Sequence, residues 1–267
     1  MFASAQEIYA ARNSVYRYRN MRSIEDAEAL LSSVLEEALE NEQECKYNRP
    51  WEIVDFSKKL DANDTWIGFE FETGFDSKKE YQTFIRWLWE QEYVAIDREG
   101  TGDYPVEVAF PPQTLTDITK NGHLLTHCLE FISKKKLTPA LNPTTFTCRD
   151  VGIHAGISTA KWRSAEYGKQ YNSARKLAGI LYQLTSGQMD ELYGRHELHW
   201  DTAHKRNGYV ELKMFRAIPE LERVNGYIDV TIRCTKLLDW CLDNPTTDLT
   251  DEQVYNYLSG KTDNIGE

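Results

Sequence analysis

No stretch of this 267-residue chain is apolar for the roughly 20 residues needed to span a bilayer, which argues against a membrane partner. The first residues, Met1-Phe2-Ala3-Ser4-Ala5-Gln6-Glu7, lack the basic stretch followed by an apolar run that marks a secretory leader. Cysteine is sparse. Cys45, Cys128, Cys148, Cys234 and Cys241 are odd in number, and none forms a Cys-x-x-Cys pair. That pattern excludes a disulfide framework and a structural zinc knuckle, and it fits small core residues in a reducing cytoplasm. Glycine is not clustered as nucleotide loops require: neither Gly-x-x-x-x-Gly-Lys-Ser/Thr nor Gly-x-Gly-x-x-Gly occurs. Basic residues are outnumbered by acidic ones, 31 to 42, for a net charge of −11. Such a surface repels phosphate backbones and argues against bulk nucleic-acid binding, although it leaves room for a small basic pocket.

What remains is a chain with ample aliphatic and aromatic residues for one large core. Three regions are expected: an arm and helical segment over 1–63, a main domain over 64–245 and a polar C-terminal tail over 246–267. In the first, Tyr9, Tyr16 and Tyr18 lie in a polar stretch, and Ser23-Ile24-Glu25-Asp26 reads as a capping box opening a helix that ends near Asn48-Arg49-Pro50. Beyond it, strands are expected at Trp66–Thr73, Tyr93–Asp97, Val106–Phe110, Asp150–Ser158 and Tyr209–Phe215. Helices are expected at Ser77–Gln91, Leu115–Lys136, Ala174–Leu192 and Tyr227–Leu242. The class is α+β: a mainly antiparallel sheet, with helices packed on one face and the site on the other.

Alternation along the strands carries the chemistry, because successive side chains point to opposite faces. In Trp66-Ile67-Gly68-Phe69-Glu70-Phe71-Glu72-Thr73 the apolar residues share one face, and Gly68, Glu70 and Glu72 share the other. Glu107 stands opposite the Val106, Val108 and Phe110 face, and His154 stands between Gly152 and Gly156 opposite Val151, Ile153, Ala155 and Ile157. Glu211 and Lys213 project together from a strand whose Val210, Leu212 and Met214 face the core. Glycines on the histidine's own face leave room around it. Neighbouring carboxylates repel unless a cation neutralises them, and hard divalent cations take oxygen ligands. Each strand taken alone also describes a solvated acidic face, and Glu211 with Lys213 a surface ion pair. Four strands that agree describe one polar, acidic sheet face.

In that order, Gly68-x-Glu70-x-Glu72, the Glu107 strand ending in Pro111-Pro112, Gly152-Ile153-His154 and Glu211-x-Lys213 resemble the amidoligase family of glutamine-synthetase-like carboxylate–amine ligases. The resemblance covers about residues 64–242 and implies a glutamine-synthetase-like catalytic domain. It implies that Glu70, Glu72, Glu107, His154 and Glu211 bind Mg²⁺, or Mn²⁺, that holds ATP. It also implies an acyl phosphate, made at the γ-phosphate of ATP, that an amine attacks to give an amide. Glu70, Glu211 and Lys213 would be catalytic, and Lys213, Arg216, Arg195 and Arg206 would hold the phosphates. Two positions depart from the family pattern: Lys213 where arginine is usual, and Gly156 where many members have a second histidine. Lysine supplies charge but not a bidentate fork. The carboxylate and amine substrates stay unnamed, and a homo-oligomer is left open. The alternatives are a catalytically silent protein of the same fold that holds a basic peptide or polyamine, and a guanidino phosphotransferase. His196-x-x-His199 invites a zinc reading, but it lacks the His-Glu-x-x-His arrangement.

Overall fold

The computed structural model describes residues 63–90, 95–97, 103–110, 112–140, 152–194, 202–206, 208–217 and 220–266. The expected N-terminal helix, Cys45 and Cys148, Arg195 and the His196–His199 segment lie outside these residues.

The architecture is α+β, built on an open antiparallel sheet of seven strands. The strands are β1 (Trp66–Phe75), β2 (Ala95–Asp97), β3 (Tyr104–Ala109), β4 (Gln113–Thr114), β5 (Gly152–Ser158), β6 (Ala203–Lys205) and β7 (Val210–Arg216). Their spatial order is β2-β3-β1-β5-β7-β6, and β4 pairs with the start of β1. The helices are α1 (Lys78–Glu90), α2 (Leu115–Asn121), α3 (Leu124–Lys135), α4 (Ala160–Ser164), α5 (Tyr167–Tyr182), α6 (Ser186–Tyr193), α7 (Leu221–Asp243) and α8 (Asp251–Leu258).

Alternation works as the residues require. Ile67, Phe69 and Phe71 are buried, and so are Val106, Val108, Ile153, Ala155, Ile157, Val210 and Leu212. This apolar face meets the helices. Phe75 packs on Phe84 of α1, with ring centroids 5.2 Å apart, and Phe215 stacks on Tyr227 of α7 at 4.7 Å. Trp87 of α1 and Phe131 of α3 stack at 4.4 Å and join neighbouring helices. Cys128, Cys234 and Cys241 are buried free thiols within this layer, as small core residues should be. No described helix is long and apolar enough to cross a membrane.

Local chemistry divides three of the expected helices differently. The segment 115–136 is two helices rather than one. Gly122 takes φ +74°, where a side chain is disfavoured, and the His123 ring caps α3 by accepting from the Leu125 amide at 3.0 Å. The Ala174–Leu192 helix is likewise split. Its first part begins earlier, at Tyr167, and a capping box of Thr185 and Gln188 starts α6. The closing helix α7 starts six residues before Tyr227. The segment read as a polar tail contains α8, opened by a second capping box of Thr250 and Gln253. Only three apolar side chains of α8, Val254, Tyr257 and Leu258, are buried, so the surrounding polarity hid the helix.

Candidate metal and phosphate site

The register aligns the polar face row by row. Glu72 sits opposite Glu107, Glu70 opposite His154, and Gly156 opposite Glu211. Directly opposed residues of an antiparallel pair share a face, so these side chains lie on one side of three central strands and their neighbour β3. Lys213 joins them: its Nζ is 3.7 Å from Glu211 Oε1. The surface is partly closed. Glu107 and Glu211 are buried, while Glu70, Glu72 and His154 are largely covered.

His154 is the hub. Its Nδ1 lies 3.5 Å from Glu70 Oε2, and its Nε2 lies 3.7 Å from Glu72 Oε1. Burial works against a charged ring. The hydrogen bond to Glu70 and the negative charges of Glu72 and Glu70 outweigh it, even against Lys213, and hold the pKa above the usual 6.5. The other oxygen of Glu72 accepts from the Gly152 amide at 2.8 Å, which ties the start of β5 to the end of β1. Glu211 is gripped most closely on its other oxygen: Arg206 Nε and Nη2 each reach Oε2 at 2.6 Å.

Three side chains, Glu70, His154 and Glu211, each offer a ligand atom, and these atoms lie within 4.8 Å of one another. Two carboxylates and an imidazole fit a divalent cation, since the carboxylate oxygens suit Mg²⁺ or Mn²⁺ and the imidazole is a common metal donor. Glu72 and Glu107 extend the acidic row beyond this group.

Gly156, two residues from His154 on the same face, leaves less room than expected. The Tyr209 ring lies over Gly156, so that a Cβ there would meet Tyr209 Cδ2 at 3.1 Å. Pro112 similarly covers Gly68, with its Cα 3.6 Å from where a Cβ would stand. Tyr209 thus fills the space beside the position where the resembled family often carries a second histidine. Sequence reading passed over Tyr209, because its place at the foot of the β6–β7 hairpin hides a long-range contact with β5.

The cations divide unequally. Arg206 and Lys213 reach the cluster. Lys205, on the opposite side of β6, lies 4.4 Å from the Tyr167 ring and 5.8 Å from that of Trp162. A slip of one residue in the β5–β7 pairing places both Lys213 and Met214 against His154. Strict alternation from Glu211 would put Phe215 among the polar side chains. The bulge instead sets Phe215 opposite Ile153, on the core face, and Arg216 opposite Gly152. Val210, Leu212 and Met214, expected on the core side, are fully buried, and Lys213 stays with Glu211.

No protein-family model matches the chain, and no curated protein matches it in sequence. Among solved structures, a crystal structure described as a novel glutamine synthase homolog aligns with a TM-score of 0.39 and 12% identity. The alignment covers 75% of this chain and 61% of that one, so the chain spans less than two thirds of that protein's length. Similarity at this level says nothing of activity, which has to be read from the site.

Proposed function

We propose that the protein is an ATP-dependent carboxylate–amine ligase. The observation that supports it is the convergence of Glu70, His154 and Glu211 beside two cationic side chains, Arg206 and Lys213, on one sheet face. In this reading Glu70, His154 and Glu211 hold Mg²⁺ or Mn²⁺, and Glu72 and Glu107 complete the acidic surround. A bound cation would draw charge from phosphoryl oxygens and hold the nucleotide against the acceptor. Lys213, Arg206 and Arg216 supply positive charge toward the transferring phosphoryl group, with Arg195 assigned to the same task on sequence grounds. A substrate carboxylate oxygen attacks the γ-phosphorus, ADP leaves, and an acyl phosphate results. An amine then attacks the acyl carbon, phosphate departs, and the nitrogen gives up its proton as the amide forms. Glu70 and Glu211 keep the reactants oriented.

A second reading is a silent binding protein of the same fold. It draws support from the Arg206–Glu211 pair and from the Tyr209 ring over Gly156, which give the site internal partners in place of ligands. One experiment separates the two. The protein is incubated with Mg-ATP and a mixture of amino acids and polyamines, and ADP is measured. The ligase reading expects Mg-dependent ADP release that Glu211→Gln abolishes. No release, together with no change in melting temperature at millimolar Mg-ATP, would leave the silent binder.

A further inference from the structure

We propose that the outward face of α5 is a docking surface, and that its occupant is this chain's own acidic segment, residues 24–44. The surface is separate from the polar sheet face: α5 lies in the helical layer, where it packs on α7, α8 and β6.

Spacing defines the face. Tyr167, Tyr171, Arg175, Gly179 and Tyr182 follow one another at intervals of four, four, four and three residues, so they form one row along the helix. The opposite side of α5 buries Ala174, Leu177, Ala178 and Leu181. Among the described residues, the large hydrophobic side chains that stand exposed are the three tyrosines of this row. Exposed apolar residues scattered singly need no explanation, but three in one row mark a contact surface, and interfaces favour tyrosine and arginine. Gly179 sits in mid-helix, where a Cβ would meet nothing within 4 Å. The packing of the fold gives no reason for a residue that weakens a helix, whereas a partner lying close over the row does.

Charge sets the face apart as well. In a chain of net charge −11, no acidic residue occurs from Tyr167 to Met189. Lys169 and Arg175 are exposed on α5. The Arg175 guanidinium lies 5.8 Å from the Tyr171 ring, and Lys205 of β6 lies 4.4 Å from that of Tyr167. An aromatic and cationic row of this kind fits an apolar stripe bordered by carboxylates.

Residues 24–44 have that chemistry. Leu30, Leu31, Val34 and Leu35 recur at helical spacing, and eight acidic residues but no basic one lie between Ser23 and Cys45. On a helix, Glu28 and Glu37 would border the apolar stripe. Glu36, Glu40 and Glu44 stand four apart, a spacing at which like charges repel along a helix, so the segment is suited to forming one only against a cationic partner. The chain also enters the described structure at the right place. Arg163, four residues before Tyr167, donates to the Asp64 carbonyl at 2.7 Å and lies over the Trp66 ring at 4.0 Å. Asp64 is therefore tied to the turn of chain that leads into α5. The twenty residues from Glu44 to Asp64 can span at most about 66–72 Å, whereas α5 is about 24 Å long, so the segment can reach the whole row of its own chain.

Hydrogen exchange of the full-length protein, read by mass spectrometry, tests this. The variants are Tyr171→Ser with Tyr182→Ser, Arg175→Glu, and Leu31→Asp with Leu35→Asp. Amides of residues 24–44 should exchange about 10-fold or more slowly in the wild type than in each variant. Those of β1 and β5 should be unchanged, which separates loss of docking from unfolding. Combining the tyrosine pair with the leucine pair should add no further loss, since each removes the same contact. The protection should also be constant over roughly a 100-fold range of protein concentration, as an intrachain contact requires. Protection that grows with concentration would overturn the intrachain occupant in favour of the same segment from a second copy. Additive losses, or protection untouched by the α5 variants, would show that the segment packs elsewhere and overturn the proposal. A wild type with no protection over 24–44 would overturn it too, and would give the face to a partner from outside the chain.

Discussion

Two histidines flank strand β1 on opposite sides, and their surroundings drive them in opposite directions. His123 lies on the core face, where its ring meets Phe69 edge-on at 4.6 Å and Phe110 at 6.1 Å. Its Nε2 is buried without a hydrogen-bond partner. Burial, reinforced by His127, lowers its pKa to about 3. His154 lies on the other face against Glu70 and Glu72, and there the same desolvation is outweighed, so the pKa rises above 6.5. Burial alone therefore does not decide the charge of a histidine here; the residue adjacent in β1, Phe69 or Glu70, does. One strand separates a face that stores stability from a face that stores electrostatic potential.

The strongest way to break this comparison is to exchange the roles of the two faces. Phe69→Ala should cost about 3–5 kcal/mol, because Phe69 is 1% exposed and leaves a cavity in the helix-facing core. Glu70→Gln keeps the shape and removes a charge from a crowded acidic row, so the metal-free variant should melt at or above the wild-type temperature. It should lose most of any Mg-ATP stabilisation, which for a ligand at a hundredfold excess over Kd amounts to about 2.7 kcal/mol. Urea unfolding of both variants, with and without Mg-ATP, measures these effects. Equal destabilisation by the two would show that the polar face is merely structural.

The pH dependence sharpens the same contrast. The folded pKa of His123 is depressed, so its stabilising contribution is complete above the unfolded value near 6.5 and is lost as the pH falls toward about 3. Over that window the loss should reach roughly 3–5 kcal/mol by linkage. His123→Asn keeps a capping side chain for α3 and should flatten the acid limb. His154 behaves in reverse. Its raised folded pKa gives a contribution that is full below 6.5 and disappears as the pH rises through the folded value. His154→Gln should therefore flatten the alkaline limb of the metal-free protein. NMR titration of the two imidazoles reads both shifts directly, and a His154 that titrates below 6.5 would refute the assigned balance of charges.

Smaller effects separate the cations and the glycines. Lys213 stands with Glu211, whereas Lys205 stands over Tyr167 on the helical side. Lys213→Ala should weaken Mg-ATP binding by about 1.5–3 kcal/mol, the worth of a hydrogen bond to a charged group, and Lys205→Ala should leave it unchanged. Calorimetry showing equal affinities for the two would move the phosphate site elsewhere. Gly156→Ala is the mildest test. Its Cβ would press on the edge of the half-buried Tyr209 ring at 3.1 Å, which can yield by a few tenths of an ångström. The variant should lose less than about 1 kcal/mol, since overpacking a site that can give costs less than in a rigid core. Tyr209→Ala should remove even that penalty, which melting curves of the double variant would show.

The polar face was legible in the chain because alternation is a local property: Glu70 and Glu72 must share a side of any strand that buries Phe69 and Phe71, and the same holds for Glu107 and His154 within their own strands. The α+β class followed from strands interspersed with helical periodicities. Local signals misled where a single residue interrupts a period, as at Gly122 within 115–136, or where a capping box lies in a polar stretch, as at Thr250.

What the sequence by itself determined is which residues share a face within each strand, since that depends only on the period of the backbone. Which strand stands beside which, and in what register, was settled by tertiary structure, because pairing energies act between residues far apart in the chain. Only that register sets Glu70 opposite His154 and Gly156 opposite Glu211, lays Tyr209 over a glycine of another strand and turns Arg206 onto Glu211. The β5–β7 bulge, which returns Phe215 to the core beside Tyr227, exists only where two strands meet, so no period within β7 alone could reveal it.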